Sequence, residues 1–393
     1  MMTLQRRGIV EEYKGYQFRR ESMAQDSQGK LIYPHNARFE AGPFAGDKAV
    51  LVEEGTENLA GTDNSFENGL NGFARTNTNI LVASSTDKSY SGDKSIKATT
   101  LASGTTGFLK LLSVDDFVGK TITFSMWVNG TVGKSIYVRI YDDVSGTTKG
   151  DTVTFNGSWQ RLSVTKTIAN TATALNVRWE STDLEAGDIV YCDCVQLEAK
   201  PYATTFTPSV RANESLTVPI EGLLSPEQGT VEMWVKAPTS ISTKGACVWS
   251  TGTGANRFDF WVLSTISGIY YVASDWLSLG SSSLLMDGKW HIIAVTFNSV
   301  GVSIYLDGVL KNSNSIPIPF DSLGKLLKMG FYGSSNYGNY SNSFYSHLRL
   351  SSMARTQEQL APLDGPPPVD EWTTLYLPFG GPDNVRAAKS IVI

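Results

Sequence analysis

Short runs in which apolar and polar residues alternate recur along most of this chain, and clusters of Gly, Asn and Asp separate them. In the run KSIYVRIYDD, Ile136, Val138 and Ile140 fall on one face of a strand, whereas Tyr137 and Arg139 fall on the other. Because successive side chains of a strand point to opposite faces, this period of two predicts strands with one buried face. Many short strands with closely spaced turns are typical of all-β sandwiches.

Two sequence motifs each occur twice in the chain. NGSWQRLSVT at 156–165 and DGKWHIIAVT at 287–296 share a turn residue, a Gly, a Trp and a final Val-Thr. A Met-Trp-Val run, which contains Trp127 or Trp234, precedes each copy. A turn followed by Trp and an alternating strand mainly serves to pack the edge and core of a sandwich. The repeats therefore predict two consecutive antiparallel jelly-roll β-sandwiches in one all-β chain.

The stretch KPYATTFTPSVRANES, with two prolines and several small polar residues, is interpreted as a linker between the sandwiches. We place an extended N-terminal arm at 1–55, the first sandwich at 56–206, the second at 207–364 and a C-terminal tail at 365–393. Both ends have little periodic apolar content, so they are expected to become ordered on partner subunits. This expectation points to a symmetric homo-oligomer.

Bulk properties exclude several classes of function. The net charge of −5 and the pI near 5.4 do not favour nucleic acid, whose partners carry basic stripes. No apolar run approaches the roughly 18 residues that span a bilayer, so no membrane is expected. Three cysteines provide no disulfide framework, and Cys192 and Cys194 are interpreted as free buried thiols. No secretory signal is visible at the start of the sequence.

Further phrases resemble known domain families. NLAGTDNSFENGLNGF, SYSGDKSIKAT, GSWQRLSVT and VYCDCVQLEA, within 58–206, resemble carbohydrate-binding modules with a galactose-binding-like jelly roll. GTVEMWVKAP, DGKWHIIAVTF, VSIYLDGVL and LRLSSMARTQEQL, within 212–362, resemble the laminin-G, concanavalin A-like sandwich. The two resemblances imply a sugar-binding type of architecture.

Two linking segments, KAVLVEEGTENLAG and VQLEAKPYATTFTPS, resemble those of bacteriophage tail and virion fibre proteins. This resemblance implies a virion structural protein, in the tail, the baseplate or a head fibre, with other virion subunits as partners. Such a protein assembles in the host cytoplasm, which agrees with the lack of a visible signal and of a disulfide framework. Its sandwiches would be displayed for attachment to a host-surface polysaccharide.

Two other functions stay open at this point. The first is a bacterial carbohydrate-binding accessory protein, and the second is a glycan hydrolase, which needs a pair of carboxylates. The strand-like runs of the second sandwich hold single acids, Glu232 and Asp259, rather than a close pair. His291 and His347 are interpreted as structural or surface residues. The chain is therefore predicted not to be an enzyme.

The segment FYGSSNYGNYSNSFY is the candidate carbohydrate site. Its tyrosines Tyr332, Tyr337 and Tyr340 could stack on the apolar faces of sugar rings. Its Gly, Ser, Asn and Tyr content is like that of antibody binding loops. The alternative interpretation is a flexible surface loop without a ligand.

A structural Ca²⁺ is the candidate cofactor. The resembling jelly rolls imply a calcium ion held by Glu67, Asp193 and carbonyls of the turn from Ser91 to Lys94. Independently, Asp193 interrupts the apolar run IVYCDCVQL, and a buried carboxylate needs a partner or a metal. Calcium takes six to eight oxygen ligands. Alternatively, Asp193 faces solvent or pairs with a nearby Lys.

Overall fold

The regular structure of the chain is almost wholly β. The computed structural model describes residues 16–22, 24–26, 28–32, 37–61, 64–225, 227–241, 245–251, 258–272, 275–318, 324–331 and 340–379. Within these ranges it has strands and two short 3₁₀ turns, at Ser282–Leu284 and Gln357–Gln359. The all-β prediction is confirmed. In the same part of the chain no helix is long and apolar enough to cross a membrane.

The strands are numbered in chain order. They are β1 (Gln17–Arg19), β2 (Ala24–Gln25), β3 (Leu31–Ile32), β4 (Arg38–Ala41), β5 (Lys48–Val52), β6 (Thr56–Glu57), β7 (Ala74–Arg75), β8 (Ile80–Ser85), β9 (Ser95–Thr100), β10 (Thr106–Leu112), β11 (Thr121–Gly130), β12 (Ser135–Asp142), β13 (Gly146–Thr154), β14 (Gln160–Thr167), β15 (Leu175–Ser181), β16 (Ile189–Glu198), β17 (Val210–Arg211), β18 (Ser215–Pro219), β19 (Gly229–Lys236), β20 (Ala246–Ser250), β21 (Asp259–Val262), β22 (Ile266–Val272), β23 (Asp275–Ser281), β24 (His291–Asn298), β25 (Gly301–Leu306), β26 (Val309–Asn314), β27 (Leu326–Met329), β28 (Ser343–Ser351) and β29 (Thr373–Leu377).

The chain divides into two compact units. The split unit comprises Met1–Glu21, Pro34–Glu54 and Asn213–Ile393, whereas the central unit comprises Ser22–Tyr33 and Gly55–Ala212. Each unit has its own hydrophobic core. Because a sheet with one apolar face must bury that face against another layer, each unit is a sandwich of antiparallel sheets.

The central unit has two main sheets. The front sheet has the strand order β13-β12-β15-β10-β7, and the back sheet has the order β14-β11-β16-β9-β8. Side chains from both sheets meet in one core, where Trp179 of β15 and Phe108 of β10 are fully buried cross-strand partners. The alternation in β12 has the expected result, since Ile136, Val138 and Ile140 all lie in this core.

The split unit draws strands from both ends of the chain. One sheet has the order β1-β18-β27-β20-β21-β22-β23; the other runs β26-β25-β24-β19-β28-β5-β4, with β29 also paired to β28. Segments that we expected to need a partner subunit therefore pair with strands of their own chain. In β5, Val50 and Val52 enter the core and are fully buried. The apolar run KAVLV explains this pairing, because its burial against β28 offsets the cost of ordering the segment.

A buried ionic cluster joins three separate segments of the split unit. Glu214 accepts hydrogen bonds from Arg20 Nη1 at 2.9 Å and from Arg38 Nη2 at 2.6 Å. Arg38 Nη2 also lies 2.7 Å from Glu53 Oε2. The side chains of Arg20, Arg38 and Glu214 are fully buried, so each charge depends on its partners for compensation. Glu214 thus links the N-terminal segments to the start of β18.

Replacing Glu214 with Ala should destabilise the split unit by about 3–5 kcal/mol, because two buried guanidinium groups lose their shared carboxylate. Calorimetric unfolding of the full chain measures the loss. The matched control is Glu221→Ala, which removes an exposed ion pair with Lys325 and should change stability by less than about 1 kcal/mol. Equal effects of the two changes would contradict the role given to Glu214.

Candidate functional site

The outward side of the front sheet carries a cluster of aromatic and charged residues. Because Ile136, Val138 and Ile140 of β12 point into the core, the residues between them point outward. Antiparallel pairing places Tyr137 opposite Glu180 of β15. We call this surface the front face, and its members are Tyr137, Arg139, Tyr141, Lys149, Asn176, Arg178 and Glu180.

Glu180 is at the centre of the front face. Its Oε2 accepts a hydrogen bond from the Tyr137 hydroxyl at 2.9 Å and lies 2.9 Å from Nη1 of Arg139. Burial, together with this hydrogen bond to Glu180, raises the pKa of Tyr137. The phenol therefore stays protonated at neutral pH and donates to the carboxylate. The contacts hold the Tyr137 ring and the Arg139 guanidinium in fixed positions on the sheet.

The neighbouring strand β13 completes the front face. Lys149, opposite Arg139, places its Nζ 4.0 Å from the centroid of the Tyr137 ring, within the range of a cation–π contact. On the same side, Tyr141 lies opposite Asn176, and both are half-buried. Phenol rings beside polar groups on a rigid sheet are the kind of surface that binds sugar rings.

The alternation in KSIYVRIYDD places Tyr137 and Arg139 on one strand face, but this pattern alone did not identify them as a site. The signal that could have found them is an aromatic and a charged residue alternating with β-branched residues on one strand. Their main partner, Glu180, follows on a strand whose pairing with β12 could not be derived from local pattern alone.

Of the three tyrosines in the predicted carbohydrate site, only Tyr340 lies within the described residues. Tyr332 and Tyr337 lie outside the described residues. Tyr340 is half-buried, and its ring stacks on that of Phe331 with the centroids 6.4 Å apart. Burial raises the pKa of the Tyr340 hydroxyl. Sugar binding by the three tyrosines stays a prediction.

Asp193, one of the two predicted calcium ligands, is fully buried on β16. Its Oδ2 accepts hydrogen bonds from the backbone N–H groups of Tyr90, at 2.7 Å, and Ser91, at 3.0 Å. Its Oδ1 accepts one from the N–H of Cys194 at 2.6 Å. Burial raises the pKa of Asp193 to about 7, against the opposing effect of these donors. Asp193 thus neither faces solvent nor depends on a Lys, because backbone donors satisfy it.

Glu67 contacts the other side of the same turn. Its carboxylate accepts from the N–H groups of Asp93, at 3.2 Å, and Lys94, at 3.3 Å. Gly92 is in the left-handed region, with φ of +70°, and a Cβ there would lie 2.2 Å from Glu67 Oε1. Only a glycine lets the carboxylate approach the turn this closely.

The structure thus places Glu67, Asp193, Ser91 and Lys94 around one turn, which presents N–H groups to both carboxylates. Across the described ranges no three His, Cys, Asp or Glu side chains are grouped to hold a metal. A calcium ion would therefore need these carboxylates to exchange N–H donors for the cation and the turn to supply carbonyls. The calcium site stays a prediction.

Calcium binding would raise the melting temperature of the protein in excess calcium relative to excess chelator, because the ion binds only the folded state. The double change Glu67→Ala and Asp193→Ala should abolish that rise. Differential scanning fluorimetry of the full chain provides the measurement. Identical melting curves of the unchanged protein under the two conditions would rule out the ion.

His291 and His347 have structural partners in the split unit. His347 bridges Asp47 Oδ2, at 2.7 Å, and the Tyr376 hydroxyl, at 2.5 Å, and burial lowers its pKa. His291 lies between two turn carboxylates, with Nδ1 at 2.8 Å from Asp307 and Nε2 at 3.0 Å from Asp287. The hydrogen bond to Asp307, followed by that to Asp287, raises the pKa of His291.

Glu232 and Asp259, the single acids noted on strand-like runs of the second sandwich, are buried. Glu232 is fully buried: its Oε2 accepts from Arg349 Nε at 2.6 Å and its Oε1 accepts from the N–H of Ala361 at 2.8 Å. Asp259 is also fully buried and lies on β21, in the other sheet. Both carboxylates are fully buried and lie in different sheets, which does not match two carboxyl groups on either side of a scissile bond.

Two family models match the chain, one to each sandwich. Residues 60–185 match the model described as a carbohydrate binding domain. Residues 211–361 match that of the concanavalin A-like lectin/glucanases superfamily. Each of the two sandwiches is therefore similar in sequence to a described domain family. The two fold resemblances found in the sequence are confirmed, whereas no curated protein matches the chain.

Several solved structures are similar to part of the chain. The CBM22-1 xylan-binding domain of Paenibacillus barcinonensis Xyn10C is 17% identical over 38% of this chain and 97% of its own, with a TM-score of 0.31. The C-terminal family 22 module of Clostridium thermocellum Xyn10B is 18% identical over 38% of this chain and 99% of its own, with a TM-score of 0.32. Tailspike protein 4 of bacteriophage CBA120, in its enzymatically active domain, is 13% identical over 36% of this chain and 21% of its own, with a TM-score of 0.28.

The two carboxylate partners of His291 lead to a prediction about how the stability of the protein depends on pH. The raised pKa of His291 means that the folded state binds a proton more tightly than the unfolded state. This contribution to stability is therefore full below the ordinary histidine pKa and is lost as pH rises through the folded pKa. His291→Gln, which introduces the residue found at the matching position Gln160 of the first repeat, should flatten the fall in stability above neutral pH. Urea unfolding over a pH series tests this, and an unchanged slope would contradict it.

Proposed function

We propose that the protein binds a polysaccharide through the front face of the central unit. The observation that carries the proposal is that Glu180 accepts a hydrogen bond from Tyr137 and forms an ion pair with Arg139 on the outward side of the sheet. The match of residues 60–185 to a carbohydrate binding domain supports it independently. The ligand would lie across β12 and β15, where these side chains are neighbours.

Each part of the front face has a role in this binding. The rings of Tyr137 and Tyr141 offer apolar surfaces for the C–H faces of sugar rings. Arg139 and Asn176 offer hydrogen-bonding groups to sugar hydroxyls. Glu180 positions two of these groups before the ligand arrives, which lowers the entropy cost of binding.

Binding, rather than hydrolysis, is what this surface supports. A glycosidase uses two carboxyl groups on either side of the scissile bond. Of the front-face residues defined above, only Glu180 has a carboxylate, and it is held by Tyr137 and Arg139. A carboxylate held in this way orients its neighbours and has no second acid with which to cleave a glycosidic bond.

Two kinds of protein are candidates for this polysaccharide-binding activity: a virion protein and a bacterial accessory protein. The linking segments KAVLVEEGTENLAG and VQLEAKPYATTFTPS support a virion protein of the tail, the baseplate or a head fibre, with other virion subunits as partners. A bacterial carbohydrate-binding accessory protein uses the same front face and agrees with the two family matches at least as well. Mass spectrometry of purified phage particles separates them, since only the virion protein would be found there.

Replacing Tyr137 and Tyr141 with Ala should weaken polysaccharide binding about tenfold or more, because both stacking surfaces are lost. Affinity electrophoresis of the full chain in gels containing xylan, galactan, mannan or polygalacturonate measures the effect. Tyr137→Phe is the milder companion, since it keeps the ring and removes only the hydrogen bond to Glu180.

The control for this experiment is the triple change of Tyr332, Tyr337 and Tyr340 to Ala, at the other predicted carbohydrate site. The front-face proposal expects this variant to bind as the unchanged protein does. If only the triple variant loses binding, the front face is not the site. Melting curves of each variant show that the loss does not come from unfolding.

A further inference from the structure

The front face has an excess of positive charge. Arg139, Lys149 and Arg178 are its cations, and Glu180 is its carboxylate. The whole chain, in contrast, has a net charge of −5. The cations are therefore concentrated locally, against the overall sign of the protein.

The strand register places the three cations side by side. Arg139 of β12 is directly opposite Arg178 of β15 on one side and Lys149 of β13 on the other. Like charges that face each other across strands repel and cost stability. Glu180 compensates this row only in part, because its 2.9 Å contact is with Arg139, whereas Arg178 Nη2 stays 3.8 Å from Oε1.

The other two cations of the front face, Arg178 and Lys149, make only weak contacts among the described residues. Arg178 makes no side-chain hydrogen bond there, since 3.8 Å is beyond hydrogen-bonding distance. The contact of Lys149 is with the Tyr137 ring, and its side chain is exposed. The Lys149 side chain is therefore open to an anion from solvent, whereas the Arg178 side chain is 19% exposed and has only the 3.8 Å contact with Glu180 to compensate its charge.

We infer that the front face selects an anionic polysaccharide, whose sugar rings stack on the tyrosines while its acidic groups pair with Arg178 and Lys149. This inference rests on the proposed function and names the class of ligand. The planar guanidinium matches the geometry of a carboxylate or a phosphate in paired hydrogen bonds. A bound anion also removes the repulsion along the row of cations, which a neutral glycan cannot do.

The test compares polymers of different charge on the full chain by isothermal titration calorimetry. Polygalacturonate provides carboxylates, a phosphodiester-linked cell-wall polymer provides phosphates, and xylan and galactan are neutral. We expect one of the anionic polymers to bind about tenfold or more tightly than the neutral ones. That preference should shrink as NaCl rises from about 50 mM to about 500 mM, because salt screens exposed charges.

Charge-removing variants locate the effect. Arg178→Gln and Lys149→Gln should each lower the affinity for the preferred anionic polymer about tenfold and reduce its advantage over neutral polymers. Lys120→Gln, an exposed cation before β11 of the back sheet, is the matched control and should keep that affinity.

The outcomes separate this inference from the proposal beneath it. Neutral polymers bound as tightly as anionic ones would overturn the inference and leave the polysaccharide site in place. Anionic preference that survives the double change of Arg178 and Lys149 would also overturn it. Failure to bind any of the polymers would count against both.

Discussion

The register between β12 and β15 is the constraint on which the candidate site depends. With Ile136, Val138 and Ile140 in the core, Tyr137 lies on the solvent side and opposite Glu180. Side chains alternate between the two faces of a strand. A slip of β12 by one residue against β15 would therefore turn Tyr137 toward the core and expose Ile136, Val138 and Ile140. The apolar core and the polar front face are therefore specified by the same pairing.

The sequence was sufficient to predict the all-β class and the paired sandwiches, since period-two runs and repeated turn phrases are local signals. It was insufficient for the short strands β1 and β5, whose partners β18 and β28 lie far along the chain. The little periodic apolar content of residues 1–55 predicted an extended arm, and only the contacts of Arg20 and Arg38 with the buried Glu214 show why these charges lie inside. Pairing between distant segments is what local reasoning cannot derive.

The turn from Ser91 to Lys94 shows a similar limit to what the sequence can predict. Resemblance to a family was enough to place Glu67 and Asp193 near this turn, whereas the direction of its peptide groups depends on backbone angles that no residue pattern states. In the structure the N–H groups face both carboxylates, and Gly92 allows the close approach. For the front face, likewise, the residue types were visible in the sequence and their neighbours across strands were not.

The segmented layout of the two units has a consequence for how the protein is made. A chain that leaves the ribosome from its N-terminus has emitted every strand of the central unit by Ala212. The split unit has to wait for β28 and β29 before β4 and β5 acquire their sheet. Before β18 and β28 have been synthesised, β1 and β5 lack these partner strands, and such open strand edges are prone to aggregation. The central unit can thus mature first, while the split unit closes only after β28 has been synthesised.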